Sequence, residues 1–472
     1  MVTDQINIEE LFSRQRTRSL QLRTESISLR RERLQKIRRW IKDNRPRIHE
    51  SAYKDFKKPA VEVDAIEVFH VLSEIKLALK SLDSWTAPKK VDAPVTMLGT
   101  QSSIRYEPKG VVLIIAPWNY PFSLALGPLV SALAAGNTAI VKPSEMTANV
   151  SALLRDMVRE LFPDNEVAVV EGGVDVSQSL LSLPFDHIFF TGSPEVGKVV
   201  MKAAAANLTS VTLELGGKSP CIVSRGSNLQ EAAGRIAVAK FVNNGQTCIA
   251  PDYILVHKSV AAEFITALAD KVSHYFARGG SDFAASGDYC RIVNERHHRR
   301  LVEVLEDAKE RGARIQHLGS ASSDPTFLPP VIVSDLPEEA RLLQEEIFGP
   351  ILPVVSFETL DEAVDFINRR PKPLALYIFP GNKKEVHRIV AETSSGGVCV
   401  RDCAIHFLHE GLPFGGVNTS GIGKSHGHYG FLAFSNEKPV LIQRRGMTSV
   451  KFFYPPYSAS SRRVMDWFLK FF

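Results

Sequence analysis

At 472 residues the chain is too long for one ordinary hydrophobic core and points to two or three domains. Its 44% hydrophobic and 23% charged residues are those of a globular chain without membrane spans, and 57 basic against 52 acidic residues leave only +5, which gives no reason to expect nucleic acid. Five cysteines, at 221, 248, 290, 399 and 403, are few and odd in number, so a reducing compartment is expected instead of a disulfide framework.

In chain order, MVTDQINIEELF lacks the apolar core of a signal peptide, which fits a cytoplasmic protein. Residues 10 to 85 read as helices. Ile27, Leu34, Ile37 and Ile41 recur at helical spacing, and Arg30, Arg31, Arg33, Arg38 and Arg39 fall largely off that stripe, as a solvated face would. From Val111 short apolar strands alternate with helices: VVLII, TAIVK, VAVVEG, DHIFFTG and VTLEL. This alternation predicts an α/β doubly wound parallel sheet of the nucleotide-binding type, whose ligands sit beyond the carboxyl ends of the strands. After Gly217 a second α/β series follows, PCIVS, YILVH, PPVIV, ILPVVSF, LALYIF and GGVCV, separated by helical stretches such as LDEAVDFIN. The final nine residues, VMDWFLKFF, are apolar and aromatic but too short to cross a bilayer.

Three stretches carry chemistry. NNGQTCIA, residues 243 to 250, sets Cys248 in a loop between an apolar helix and the strand YILV, where Gly245 and two asparagines have no use in a core element. A thiolate there would attack a carbonyl carbon and leave again from a thioester. FFTGSPEVGK reads as strand, glycine turn and helix, so Gly192, Ser193 and Gly197 would present unpaired amides to a pyrophosphate. CVRDCAIHFLH places Cys399, Cys403, His406 and His409 at a spacing that zinc sites use. It reads as a strand entering a loop, where side chains alternate direction, so no metal site is expected.

NNGQTC, LELGGKSP at 213 to 220, EEIFGP at 345 to 350 and APWNYP at 116 to 121 together resemble the aldehyde dehydrogenase superfamily, in order and spacing, from about residue 10 to 457. The short chain, the APWNYP form and the YPP near the end resemble its class 3 branch of fatty-aldehyde and aromatic-aldehyde enzymes. The resemblance implies Cys248 as nucleophile, Glu214 as the base that activates water, and Asn119 as an oxyanion donor. It implies cofactor contacts from Lys142 and Glu145 to the adenosine ribose, from Glu346 to the nicotinamide ribose, and from Trp118 and Phe348 near the ring. A carboxylate at 145 favours NAD, with NADP left open. The domains expected are a cofactor-binding Rossmann-type unit (1–85 and 107–216, with 415–440 returning to it), a catalytic unit (217–414), and an oligomerisation element with the tail (86–106 and 441–472).

The implied function is NAD(P)-dependent oxidation of hydrophobic aldehydes to acids by a homodimer, with the tail either on a partner subunit or peripherally on a membrane. An acylating enzyme that passes the thioester to coenzyme A and a non-catalytic family member are the alternatives; Glu214 and the intact trio of Cys248, Glu214 and Asn119 speak against them. Two departures from the class 3 pattern stand out: Arg401 where Asn usually precedes Asp402, and Asn418 where related chains often have Gly.

Overall fold

The computed structural model describes residues 7–97, 99–446, 448, 450–451 and 454–471. The first series of apolar runs forms a parallel sheet in the order Val167–Val169, Thr138–Lys142, Val111–Ile115, His187–Gly192, Ser210–Leu215. Its central strands are buried on both faces, and that is why they read as unbroken hydrophobic runs. The chain order reverses between Val111–Ile115 and His187–Gly192, which leaves a crevice at their carboxyl ends. A short strand, Gly421–Ile422, adds antiparallel at the edge and pairs Gly421 with Glu214.

The second series forms a seven-stranded sheet in the order Arg314–His317, Val331–Ser334, Ile351–Phe357, Tyr253–His257, Pro220–Val223, Ala375–Phe379, Gly397–Val400. All its pairings are parallel except that of the edge strand Arg314–His317. The third sheet was not foreseen. Lys89–Val91, Thr100–Pro108 and Ser435–Gln443 make an antiparallel ribbon, its long pair in register from Thr100 with Gln443 to Pro108 with Ser435. TQSSIRYEP is half-buried along most of its length and SNEKPVLIQ is mostly exposed, so neither shows the hydrophobic alternation by which a strand is recognised.

The N-terminal region is helical as expected, and Leu34, Ile37 and Ile41 are fully buried with the wholly buried helix Ser123–Ala135 in one core. The solvated arginine face needs correction. Arg30 is buried and donates to the carbonyls of Ala134 and Ala135 (3.3 and 2.9 Å), orphans at the end of that helix. Arg33 is buried too, paired with Glu166 at 2.8 Å and with Glu25. Both serve the fold; charge pattern alone could not distinguish them from Arg39, which is exposed.

Candidate active site

Cys248 lies in the turn between the helix Leu229–Phe241 and the strand Tyr253–His257. Asn243 and Asn244 both adopt left-handed backbone (φ 52° and 55°), a conformation that asparagine tolerates better than most side chains. Their amides then lace the loop: Asn243 Nδ2 donates to Gln246 O (3.0 Å) and Asn119 O (2.9 Å), Asn244 Nδ2 to Cys290 O (2.7 Å). Gln246 is fully buried; it donates to Arg291 O and accepts from Val293 N–H. The turn is thus fixed by side-chain hydrogen bonds in place of regular structure. Burial, then the nearby Glu346 and Glu214, push the Cys248 thiol well above its ordinary value, opposed by the backbone N–H groups of Cys248 and Ile249.

Asn119 is buried beyond the strand Val111–Ile115, and its Nδ2 donates to Gln246 O at 3.0 Å. That contact joins the two parallel sheets at the nucleophile loop. The helix that follows starts at Ser123, and its first amides are held by Glu67 Oε2, from Phe122 N–H (2.9 Å) and Ser123 N–H (3.3 Å). The cap is therefore Glu67, not Asn119. Glu67 also pairs with Lys58 Nζ at 2.8 Å, and Lys58 donates to Asn119 O at 3.0 Å. Both side chains are sealed from solvent, so removing one would strand the other at a cost of about 3–5 kcal/mol. Nothing in DFKKPAVEV signals this role, because the pairing is purely three-dimensional.

Glu214 ends the strand Ser210–Leu215 and is only 5% exposed. It accepts hydrogen bonds from Ser425 Oγ and from Thr191 Oγ1 (3.3 Å). Burial raises its carboxyl to about 7, against the opposing pull of these donors and of Lys424. A group so poised can take and release a proton near neutrality. The cost appears in stability. An unfolded glutamate ionises near 4.5, so the folded protein keeps its extra proton, and stability is lost as pH rises from there through about 7. Glu214→Gln abolishes that loss: it is expected to melt close to the wild type at pH 4.5 and to be more stable at pH 8, by about 3 kcal/mol at most. Denaturant melts at the two pH values check this, and a gap that does not widen with pH contradicts it.

Glu214 and Cys248 share one cavity of about 580 Å³, a size suited to a small-molecule site. Its walls include Leu124, Val238, Ile249, Phe407, Ile405 and Leu408. Ile405 (52%) and Leu408 (44%) are exposed, so the cavity runs from the buried pair out to the surface. Tyr120 and Thr247, joined by a 2.7 Å hydrogen bond, line it; Asn119 between them and the loop does not. Arg235 at the wall is held by Glu231 (2.5 Å), Asp402 (3.4 Å) and the carbonyl of Arg401, which leaves its charge spent. Arg401 itself is exposed, in left-handed backbone (φ 60°), and Asp402 lines the cavity in its place. Asn418 is also left-handed (φ 56°), where it can replace glycine at small cost, and its Oδ1 accepts from Lys372 Nζ at 3.1 Å.

Among the described residues no group of three His, Cys, Asp or Glu could hold a metal ion. His406 packs its ring toward Tyr377 and Phe414, and His409 accepts from Gly411 N–H.

The residues named for the cofactor stand along the carboxyl edge of the six-stranded sheet and on the loop facing it. Gly192 and Ser193 form the turn into the helix Pro194–Ala206, with Ser193 Oγ capping Val196 N–H at 3.4 Å, whereas Gly197 sits within the helix and not in the turn as expected. A Cβ on Gly197 would stand 2.8 Å from Leu215 Cδ2, so glycine lets this helix lie close to the sheet without moving that leucine. Lys142 is buried and pairs with the exposed Glu145 at 2.8 Å. Trp118 and Phe348 meet edge to face at 5.2 Å. Glu346 accepts from Gly217 N–H, and a Cβ on Gly216 would fall 2.0 Å from its carboxylate. Burial and then Asp252 raise Glu346 to about 8.

A half-buried cysteine and a carboxyl group poised near neutrality share an apolar cavity, beside a doubly wound sheet with a glycine turn; together they define a dehydrogenase-type site. Residues 3–440 match the model of the aldehyde dehydrogenase family, and the chain belongs to that family. It is similar to the 4,4'-diaponeurosporen-aldehyde dehydrogenase of Staphylococcus aureus, with 44% identity over 94% of this chain and 95% of the relative. It is also similar to aldehyde dehydrogenase family 3 member A2 of Mus musculus, with 42% identity over 95% and 91%. The solved substrate-bound structure of AldH from Staphylococcus aureus superposes with a TM-score of 0.93 at 42% identity, covering 98% of this chain and 99% of that one.

Proposed function

We propose that the chain oxidises hydrophobic aldehydes, medium-chain to long-chain aliphatic or aromatic, to carboxylic acids through a thioester on Cys248, with a nicotinamide dinucleotide as oxidant. The observation that carries this reading is the apolar cavity closed at its inner end by Cys248 and Glu214. With Arg235 paired, no free cation lines that wall among the described residues to hold an anionic substrate tail.

The cofactor would be held by the capped turn at Gly192 and Ser193 with Gly197 of the helix, by Lys142 and Glu145, and by Glu346, Trp118 and Phe348. The fit rests on the close approach at Gly197 and on the carboxylate of Glu346 turned toward Gly216 and Gly217. When bound, it supplies the hydride acceptor. Glu145 would accept from ribose hydroxyls and repel a 2′-phosphate, so NAD is the preferred form.

The protein's own part begins with loss of the Cys248 proton, for which Glu214 is the nearest poised acceptor. The sulfur adds to the aldehyde carbon, and Asn119 Nδ2 with the Cys248 backbone amide stabilises the oxygen that becomes anionic. One such donor is typically worth about 10²–10³ in rate. Once the hydride is gone, a thioester remains on Cys248. Glu214, having released that first proton, takes a proton from water as its oxygen adds to the thioester carbon, the C–S bond breaks with the sulfur leaving as thiolate, and the acid departs.

Division of labour follows the sheets: cofactor on the six-stranded unit, nucleophile on the seven-stranded one, assembly through the ribbon and tail. The tail helix Ala459–Phe471 has no buried residue and exposes Trp467, Leu469 and Phe471 beside Arg462, Arg463 and Lys470. Phe472 lies outside the described residues, and no described helix is long and apolar enough to cross a membrane. A partner subunit is the proposed cover for this apolar face, and sedimentation with liposomes decides whether lipid takes that place.

The test of function is NADH formation by the purified protein across aldehydes from short aliphatic to long-chain and aromatic. Turnover that rises with hydrophobic length supports the reading. Activity with short polar aldehydes alone, or none with any, contradicts it.

A further inference from the structure

Behind Glu214, away from the substrate, lies a second and much smaller cavity of about 20 Å³. Polar groups gather in its lining: Glu214, Ser425, Ser123, Glu74, His70 and His426 all border it. Glu214 and Ser123 line both cavities and so form the wall between them. Ser123 is 1% exposed, yet its Oγ finds no hydrogen-bond partner among the described residues. A buried hydroxyl without a partner costs about 1–3 kcal/mol, so its persistence calls for an occupant. The volume suffices for one water molecule, and the polar groups supply the two to four partners that such a water needs.

Glu74, on the helix Phe69–Thr86, is 4% exposed and stands on the far side of this cavity. Its Oε2 accepts from Gly427 N–H at 2.9 Å, which fixes the carboxyl group. Beyond it is Glu410, whose carbonyl packs against Gly427 and which lines an open surface groove with Leu77 and Trp85. The order from inside to outside is Glu214, water-sized cavity, Glu74, Glu410, solvent. Each turnover delivers to Glu214 protons that it must shed before it can act as a base again.

We propose that Glu74 is the proton outlet of Glu214, reached through a water held by Ser123 Oγ. The balance is simple. Protonated Glu214 gives its proton to the bridging water, which passes another of its protons to the Glu74 carboxylate; Glu74 then loses it toward Glu410 and solvent, and the relay returns to its starting state. No electron moves.

The energetics suit this role. Burial, chiefly, raises Glu74 to about 7, the same as Glu214, with Glu410 and Glu214 adding to the effect and the Gly427 N–H opposing it. A proton therefore passes between them with little change in free energy. The other titratable groups here are His70 and His426, whose rings lie 4.8 Å apart. Burial drives His70 down to about 4 and His426 well below its ordinary value, so both stay neutral and neither holds the proton as a cation. Lys424 faces Glu214 and not the outlet.

Glu74 touches no reacting atom and acts through Glu214, so the proposal rests on the reading of Glu214 as the base. Glu74→Gln keeps an acceptor for the Gly427 N–H but cannot carry a proton. Rapid mixing with a long-chain aldehyde and NAD⁺ separates the first turnover from the steady state. Expected in Glu74→Gln is an unchanged first-turnover rate and a steady-state rate lower by about tenfold, less than the 10²–10⁴ of a direct base. Ser123→Ala should slow the same phase, and small diffusible buffers such as imidazole should restore part of it. Equal steady-state rates and pH profiles in wild type and Glu74→Gln would overturn the outlet, as would first-turnover and steady-state rates falling together. Failure of the Glu214 reading looks different: Glu214→Gln would then hydrolyse its thioester as fast as wild type does.

Discussion

Cys248→Ala is expected to lose NADH formation with every aldehyde, by about 10⁵-fold or more, since a covalent route has no second nucleophile to fall back on. The other four cysteines cannot substitute. Cys221, Cys290, Cys399 and Cys403 are all buried, and of these only Cys403 reaches the substrate cavity, where burial and its neighbour Cys221 hold its thiol well above the ordinary range. The variant should remain folded and bind the dinucleotide, because the loop around it is fixed by Asn243, Asn244 and Gln246 and not by the sulfur. Fluorescence titration with NADH beside the activity assay separates loss of chemistry from loss of fold. Appreciable turnover in Cys248→Ala would remove the thioester mechanism altogether.

Glu214→Gln is expected to have the second largest effect, and a more selective one. Glutamine still accepts from Ser425 and Thr191 but takes no proton, so thioester hydrolysis should slow by about 10²–10⁴. The first turnover should still yield NADH, though more slowly wherever the resting thiol depends on Glu214 to lose its proton. In the wild type the base form of Glu214 prevails above about 7, so the hydrolytic rate should fall about tenfold for each pH unit below that value. Stopped-flow measurement from pH 6 to 8.5 checks both. A steady-state rate independent of pH over this range would mean that Glu214 is not the titrating base.

Much of this was legible in the chain because parallel strands buried on both faces must be apolar throughout. VVLII, TAIVK, DHIFFTG, YILVH and LALYIF carry that signature and become the strands expected of them. The motifs fall at strand ends and turns, places that face the crevice in a doubly wound sheet. What stayed hidden depends on contacts across long separations. Lys58 and Glu67 anchor Asn119 and cap the next helix, but in sequence they are an unremarkable lysine and glutamate. Arg30 and Arg33 looked solvated because a helical stripe cannot reveal a carbonyl or carboxylate on another element. The ribbon strands went unseen because antiparallel strands that are only half-buried or exposed need no hydrophobic pattern. The upward push on the Cys248 thiol also needed the fold, since burial and two neighbouring carboxyl groups cause it and only three dimensions bring them together.

A covalent acyl-cysteine that Glu214 releases is visible to intact-mass measurement. Glu214→Gln, mixed with a long-chain aldehyde and NAD⁺ and quenched in acid, should gain the mass of the aldehyde less two hydrogens. Peptide mapping should place the addition on Cys248. No adduct on a protein that nevertheless forms NADH, or an adduct on another residue, would contradict the account.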